Sequence, residues 1–154
     1  MKKALLIILL CGVILLSGCG DKEQKLNCTL TKNDVVNGYK MTSHYDVTSK
    51  NKIVTKVITT ETVESEDTEV LDYFKSYIEE AYTKMNEAYG GYDFKTTLED
   101  KKLVVNTTID YTILNLEQLS KDDSSMKQFV DEDNNLTLDG IKKMYEILGA
   151  SCKE

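Results

Sequence analysis

The chain has 154 residues and a formal net charge of −7, which is enough chain for one domain with a sizeable hydrophobic core. An acidic chain is repelled by phosphate backbones and by anionic headgroups, so its composition argues against nucleic acid as a partner. The sequence contains four cysteines, one histidine, no proline and no tryptophan.

Residues 1–18 have the three-part pattern of an export signal. Lys2 and Lys3 form a short cationic start, and residues 4–16 are uncharged and dominated by leucine and isoleucine. A membrane-spanning helix needs roughly 20 apolar residues, so this run is too short to be a permanent anchor. Small residues then lead into a cysteine at position 19.

The tetrapeptide Leu16-Ser17-Gly18-Cys19 resembles a bacterial lipobox. The resemblance implies that the Cys19 thiol receives a diacylglycerol and that cleavage between Gly18 and Cys19 leaves Cys19 as the N-terminus. Thioether formation requires a soft nucleophile, and each buried CH₂ of an acyl chain contributes about 0.8 kcal/mol to membrane binding. The alternative is a plain secretory signal with an incidental cysteine.

We therefore predict three segments: a signal peptide (1–18), a lipidated cysteine with a polar tether (19–25), and a single domain (26–154). The membrane would be a partner through the N-terminal lipid alone, and the domain would lie on the extracytoplasmic face of the cell membrane. Removing the two signal lysines makes the mature chain more acidic than the full sequence. Whether the host has an outer membrane stays open.

Two cysteines remain after Cys11 is discarded and Cys19 is acylated. Cys28 and Cys152 lie near the two ends of the mature chain, and a pair of cysteines in an exported protein is typical of a disulfide. The alternative is a pair of free, buried thiols.

Five stretches alternate in polarity and are rich in the β-branched residues that favour strands: 26–31, 38–48, 53–63, 92–98 and 103–111. A long helix is predicted over 69–89, capped by Asp67 or Thr68 and ended by Gly90-Gly91. Its predicted apolar stripe recurs at three- and four-residue steps and consists of Val70, Tyr73, Phe74, Tyr77, Ile78, Ala81, Met85 and Ala88.

Shorter helices are predicted near the C-terminus. Thr112 is expected to cap one that contains Ile113, Leu116 and Leu119, and residues 126–130 are expected to form another turn. Thr137 caps a final helix that ends at Gly149. The order βββ-α-ββ-α-α predicts a two-layer α+β domain, in which an antiparallel hairpin sheet of about five strands carries one long helix and the C-terminal helices on one face.

With these residues laid out, the chain resembles the YehR-like family of small bacterial lipoproteins. The resemblance rests on residues 18–23 (GCGDKE), 108–111 (TIDY) followed by 116–119 (LEQL), and 136–138 (LTL) with 148–149 (LG). It implies a lipid-anchored α+β protein but assigns no activity, because none of these motifs is catalytic. Members need not have the Cys28 and Cys152 pair, so the predicted disulfide rests on the cysteine count alone.

Candidate chemistry is sparse. Thr42, His44 and Asp46 would point the same way in a row along one strand, so they would not converge on a reacting atom as a triad does. Residues 131–142 resemble a calcium loop, but position 6 is Leu136 instead of glycine and position 12 is Lys142 instead of glutamate. A solvated acidic loop next to the last helix is the simpler interpretation.

The nine tyrosines could line an aromatic groove for a peptide, glycan or lipid, or could fill an interior that lacks tryptophan. We found no phosphate loop, dinucleotide fingerprint or nucleophile elbow in the sequence, and we expect no cofactor, no metal and no catalytic residue.

These patterns favour a non-enzymatic, lipid-anchored envelope protein that binds an unidentified envelope protein or ligand. One alternative is a cell-wall hydrolase with two carboxylates about 5–10 Å apart, one of raised pKa. Another is a spacer or an inhibitor of an envelope enzyme, with a protruding loop over 120–135.

Overall fold

Three long strands dominate the sheet; threonine is frequent in all three, and the third is also rich in valine and isoleucine, residue types that favour strands. A computed structural model describes residues 22–154. The strands are β1 (Glu23–Asp34), β2 (Tyr39–Lys50), β3 (Ile53–Ser65), β4 (Tyr92–Glu99), β5 (Lys102–Asp110) and β6 (Ser151–Lys153). The helices are α1 (Thr68–Tyr89), α2 (Leu116–Asp122) and α3 (Leu138–Ile147), with a 3₁₀ turn over Ser124–Gln128.

The strands form one antiparallel sheet in the order β4-β5-β3-β2-β1-β6, so the α+β class is confirmed. The prediction of about five strands was one short. β6 has only three residues, too few to show alternation, and it pairs with β1 with Cys152 directly opposite Cys28. β1 begins at Glu23, three residues before the predicted start of the domain.

One face of the sheet is buried beneath the helices and the other faces solvent. Buried and exposed residues alternate along β1, β2 and β3, as expected when only one face contacts a core. The buried face carries Leu26, Val47, Val57 and Leu103, whereas the open face carries residues such as Thr29, His44 and Lys56.

The covered face holds two separate hydrophobic clusters. The larger cluster joins β1, β2 and the first residues of β3 to α3 and to the segment before α3. Ile141 and Leu136 in this cluster are almost fully buried. The smaller cluster joins Val63, Leu103 and Val105 to Leu71 of α1.

Helix α1 begins as predicted, since the Asp67 carboxylate accepts a hydrogen bond from the Glu69 N–H at 2.9 Å. Its assigned apolar stripe was partly wrong. The side chains that pack on the sheet are Leu71, Phe74, Ile78 and Tyr82, whereas Tyr73 and Tyr77 are 67% and 61% exposed. Because the prediction included Tyr73 and Tyr77 in the apolar stripe, it placed the packing face of α1 partly on the side that faces solvent.

The segment between β5 and α3 also differs from its prediction. Thr112 lies in a turn bonded to Asp110 instead of capping a helix, and α2 begins later with Asn115 as its cap. Met126 and Phe129 are buried in the larger cluster, so the segment 120–135 is held to the domain at these two side chains, while most of its other residues are exposed.

The Cys28–Cys152 disulfide is present and closes a separation of 124 residues. We predict that Cys152→Ser destabilises the oxidised protein by about 5 kcal/mol, the loop-closure entropy that the chain model assigns to a loop of this length. Cys152 is the better site to change because Cys28 is buried and serine there would add an unpaired hydroxyl. Urea unfolding with and without dithiothreitol measures the effect. Equal stability of variant and wild type without reductant would contradict it.

Gly140 allows α3 to pack directly on the chain before it. A Cβ at this position would lie 2.0 Å from the Phe129 carbonyl oxygen, and backbone cannot move aside as a flexible side chain can. We therefore expect Gly140→Ala to lower the free energy of unfolding by about 1–3 kcal/mol, the usual cost of overpacking. Thermal unfolding measures this, with Lys143→Ala as the exposed control on the same helix. A Gly140→Ala melting temperature equal to that of the control would show that the contact relaxes freely.

Candidate functional site

The domain has two distinct ends along its long strands. At the proximal end, the Asn51 N–H donates to the Lys22 carbonyl oxygen at 3.0 Å, and the Lys22 N–H donates to Asn51 Oδ1 at 3.1 Å. These bonds fix the start of the described chain to the β2–β3 turn. Because β1 has 12 residues and a strand rises about 3.3 Å per residue, its other end lies about 35–40 Å away.

The distal end brings together three connections: the β1–β2 turn, the β3–α1 junction and the β4–β5 turn. Ser65 ties them, since its hydroxyl donates to the Gly38 carbonyl oxygen at 2.8 Å and its N–H donates to the Lys101 carbonyl oxygen at 3.2 Å. We call the open depression of about 630 Å³ between them the distal cleft. It is lined by Asn33, Asp34, Val35, Gly38, Tyr39, Lys40, Glu64, Ser65, Glu66, Glu99, Asp100, Lys101 and Lys102.

Many of the charges in the distal cleft already have partners. The ion pairs are Lys40–Glu64, Lys102–Glu99 and Lys101–Glu66. All are solvent-exposed, so each contributes about 0–1 kcal/mol. The Asp34 carboxylate accepts hydrogen bonds from the Asn37 N–H and side chain, which hold the turn and keep the pKa of that carboxyl low. The cleft is therefore a poor site for a single strongly charged ligand.

The apolar feature at this end is the tip of the β1–β2 hairpin. Val35 and Val36 are 82% and 94% exposed, although a turn of this kind normally carries polar residues. Among the described residues, these are the two most exposed large hydrophobic side chains, and they lie at the rim of the distal cleft. We call Val35 and Val36 the valine tip.

A second feature lies inside, where the two hydrophobic clusters meet. Glu61 of β3 is on the covered face of the sheet, directly opposite Ser43 of β2 and Val105 of β5. In the next row, Thr59 pairs with Thr107 of β5. The centre of the covered face is therefore polar, and we call Ser43, Thr59, Glu61 and Thr107 the polar centre.

Two hydroxyls of the polar centre have no partner. Ser43 and Thr107 are 0% and 1% exposed, and neither hydroxyl makes a hydrogen bond of normal geometry among the described residues. Burial raises the pKa of the Glu61 carboxyl, and the nearby Ser43 hydroxyl opposes this rise only in part. A buried polar group without a partner costs about 1–3 kcal/mol, so the free domain carries unsatisfied polar groups here.

Tyrosines surround the polar centre. The Tyr45 and Tyr145 rings stack with centroids 4.1 Å apart, and the Tyr82 ring lies 5.5 Å from that of Phe94. Burial, followed by the negative charge of Glu61, raises the pKa of Tyr82 to about 12. Burial also raises the pKa values of Tyr45 and Tyr145, and the Glu61 charge adds to both. These tyrosines are therefore neutral at physiological pH and lie within electrostatic reach of the Glu61 carboxyl.

The predicted site residues are distributed as follows. Cys28 and Cys152 are bonded, whereas Gly18 and Cys19 lie outside the described residues, so lipidation and cleavage stay predictions. His44 lies on the open face with its Nδ1 3.2 Å from the Thr29 hydroxyl. Asp131 accepts hydrogen bonds from the N–H groups of Asp133 and Asn135 within its own loop.

Over residues 22–154, no group of three or more histidine, cysteine, aspartate or glutamate side chains is placed to hold a metal ion. A separate search of the same residues finds no helix with the length and apolar character that a membrane crossing requires.

Sequence reasoning missed both Glu61 and the valine tip. Glu61 could have been found, because it shares the parity of Val57 and Val63, which the alternating pattern places on the buried face. The valine tip falls between the predicted strands 26–31 and 38–48, and no local pattern marks it as exposed. Its exposure depends on where the strands end, and β1 extends to Asp34 instead of Thr31.

The fold is an open, six-stranded antiparallel sheet covered by helices on one face, and it is YehR-like. The NMR structure of E. coli YehR protein matches with a TM-score of 0.54 and 18% identity, over 86% of this chain and 92% of that chain. An NMR structure of a protein from Streptococcus pneumoniae TIGR4 matches with a TM-score of 0.47 and 15% identity, over 99% of this chain and 94% of that chain. No protein-family model and no curated protein sequence matches the chain.

Glu61 predicts a specific pH dependence of stability. Its native pKa lies above the unfolded value because burial penalises the charged form, so its favourable contribution is full below the unfolded pKa and is lost as pH rises through the native pKa. Glu61→Gln removes the charge, and we expect it to raise the melting temperature at pH 7 more than at pH 4. Calorimetry from pH 4 to pH 8 measures the difference.

Glu64→Gln is the matched control, since Glu64 lies on the same strand and its side chain is exposed. A pH profile of Glu61→Gln parallel to that of the wild type would contradict the assignment.

Proposed function

We propose that this protein is a lipid-anchored module of the bacterial cell envelope that binds a partner protein through its distal end. Acylation of Cys19 would hold the chain on the outer side of the cytoplasmic membrane, in keeping with the YehR-like lipoproteins that the sequence resembles. The valine tip carries the proposal, because two exposed apolar side chains lie beside a wide cleft at the end of the sheet.

The position of the valine tip favours a protein partner over the membrane surface. The described chain starts at the proximal end, where Lys22 is bonded to Asn51. A lipid on Cys19 would therefore hold that end near the bilayer and leave the distal end about 35–40 Å away, given the rise of a 12-residue strand. The acidic balance of the chain also argues against binding anionic headgroups.

The hydrolase alternative needs two carboxylates that act together. Glu61 has the raised pKa such a mechanism requires, but burial is the cause and no other described carboxylate contributes to the shift. The inhibitor alternative was tied to a protruding loop over 120–135, and that segment is packed by Met126 and Phe129. A binding module uses the features that are exposed, so it is the better-supported function.

The valine tip can be tested by cross-linking in intact cells, followed by purification through a C-terminal tag. We expect the full-length protein to capture one dominant envelope protein. Val35→Ser with Val36→Ser should reduce that capture by about tenfold, because it removes the apolar contact without touching the core. Ile147→Ser with Leu148→Ser is the matched control, since these side chains are also exposed but belong to the end of α3.

Cys19→Ala separates the anchor from the contact surface. Loss of membrane association together with loss of capture in cells is expected, whereas capture by the purified domain should persist. Equal capture by the valine-tip variant and the wild type would reject the distal surface, and a Cys19→Ala protein that is still lipid-labelled would reject the lipobox.

A further inference from the structure

We propose that the polar centre is a binding site for a small soluble amine, whose primary ammonium group would sit between Glu61, Ser43 and the surrounding tyrosines. This inference does not depend on the distal end or on the lipid anchor. It rests on what the polar centre lacks in the free domain.

Glu61 is an acid without a counter-ion. Its carboxyl is on the covered face between the two hydrophobic clusters, and no lysine or histidine among residues 22–154 forms an ion pair with it. Other partly covered acids differ in this respect; Glu79, for example, lies 3.2 Å from the Lys75 ammonium and accepts from Thr96. A carboxylate removed from water favours a cationic partner.

The two unpartnered hydroxyls point to the same missing group. Ser43 lies directly opposite Glu61 and Thr107 lies one row further along the sheet, and neither hydroxyl makes a hydrogen bond of normal geometry among the described residues. An ammonium group supplies three N–H donors and one positive charge in a compact volume, so it can serve the carboxylate and one or two hydroxyls together.

The tyrosines suit a cation for a further reason. Tyr45, Tyr82 and Tyr145 are close enough for the Glu61 charge to affect their pKa values. The faces of aromatic rings attract cations, and the attraction grows when water is excluded. An anionic ligand would be repelled by Glu61, and a sugar hydroxyl would leave the negative charge uncompensated.

Access to the site is available along the helix layer. Glu61 is only partly covered, and Leu71 is the single fully buried side chain in the described helix α1. A helix tied down by so few buried contacts opens at low cost, so a small amine can reach the carboxyl without global unfolding.

The probe is n-butylamine, titrated at pH 7 into the isotope-labelled chain without its signal (residues 20–154), with the protein otherwise intact. Amide shifts are followed by NMR, and sodium chloride at matched ionic strength is the reference. We expect saturable shifts at Ser43, Glu61 and Thr107 and a higher melting temperature. Tetramethylammonium, which is cationic but has no N–H donor, should bind at least about tenfold more weakly.

Two variants decide the assignment. Glu61→Gln should lose the saturable response and, because it is expected to be more stable than the wild type at pH 7, the loss would not reflect unfolding. Ser43→Ala should weaken butylamine binding by several-fold while stabilising the free protein, since it removes an unpaired hydroxyl. Glu64→Gln, on the opposite face of the same strand, should respond as the wild type does.

Three results would overturn the proposal. The first is the absence of any saturable response up to about 50 mM butylamine, because a specific site of this kind would bind more tightly than that. The second is an equal response in Glu61→Gln, which would mean non-specific binding to the acidic surface. The third is an equal response to tetramethylammonium, which would exclude the hydrogen-bonded arrangement.

Discussion

The register between β1, β2 and β3 decides which side chains lie beneath the helices. Side chains alternate along a strand, so a slip of one residue would exchange the two faces. In the observed register, Leu26, Val47 and Val57 share one row of the covered face, and Ser43 and Glu61 share another. The same pairing that buries the valines therefore also buries Glu61. The polar centre is a consequence of the register that builds the core.

This arrangement divides the helix layer into two parts. Helix α3 is held by a directly packed glycine, by the larger hydrophobic cluster and by the disulfide that follows it. Helix α1 covers the smaller cluster with one fully buried side chain and several partly buried ones. Local stability follows the amount of buried apolar contact, so α1 is the element expected to open first. The polar centre lies where the firmly held part meets the loosely held part.

The two sites that we propose for binding, one exposed and one internal, have different physical origins. The valine tip lies in the β1–β2 turn, where no other described segment covers Val35 and Val36. The polar centre arises because the strand register places Ser43, Thr59, Glu61 and Thr107 on the covered face, where the Ser43 and Thr107 hydroxyls make no hydrogen bond of normal geometry among the described residues. The valine tip suits a protein partner, and the polar centre suits the ammonium group of a small amine. A tethered module with both could bind a partner and respond to a solute.

The sequence by itself determined the α+β class, five of the six strands and the two well-capped helices α1 and α3. Alternation, β-branched residues and capping side chains are local signals that act within a few residues. The cysteine count indicated the disulfide because an exported chain with two remaining cysteines favours a bridge. The lipobox at residues 16–19 stays a prediction from sequence alone, because it lies outside the described residues.

Only the tertiary structure decided the rest, because the rest depends on pairing between distant segments. β6 exists because Cys152 lies opposite Cys28, far away along the chain. The true packing face of α1 depends on which side the sheet occupies, and that direction placed Tyr73 and Tyr77 in solvent. Glu61 has the parity of a buried residue, but its lack of a counter-ion depends on which side chains of other elements lie beside it in the folded domain. These features could not be predicted because they depend on the register between distant segments, which no local sequence pattern encodes.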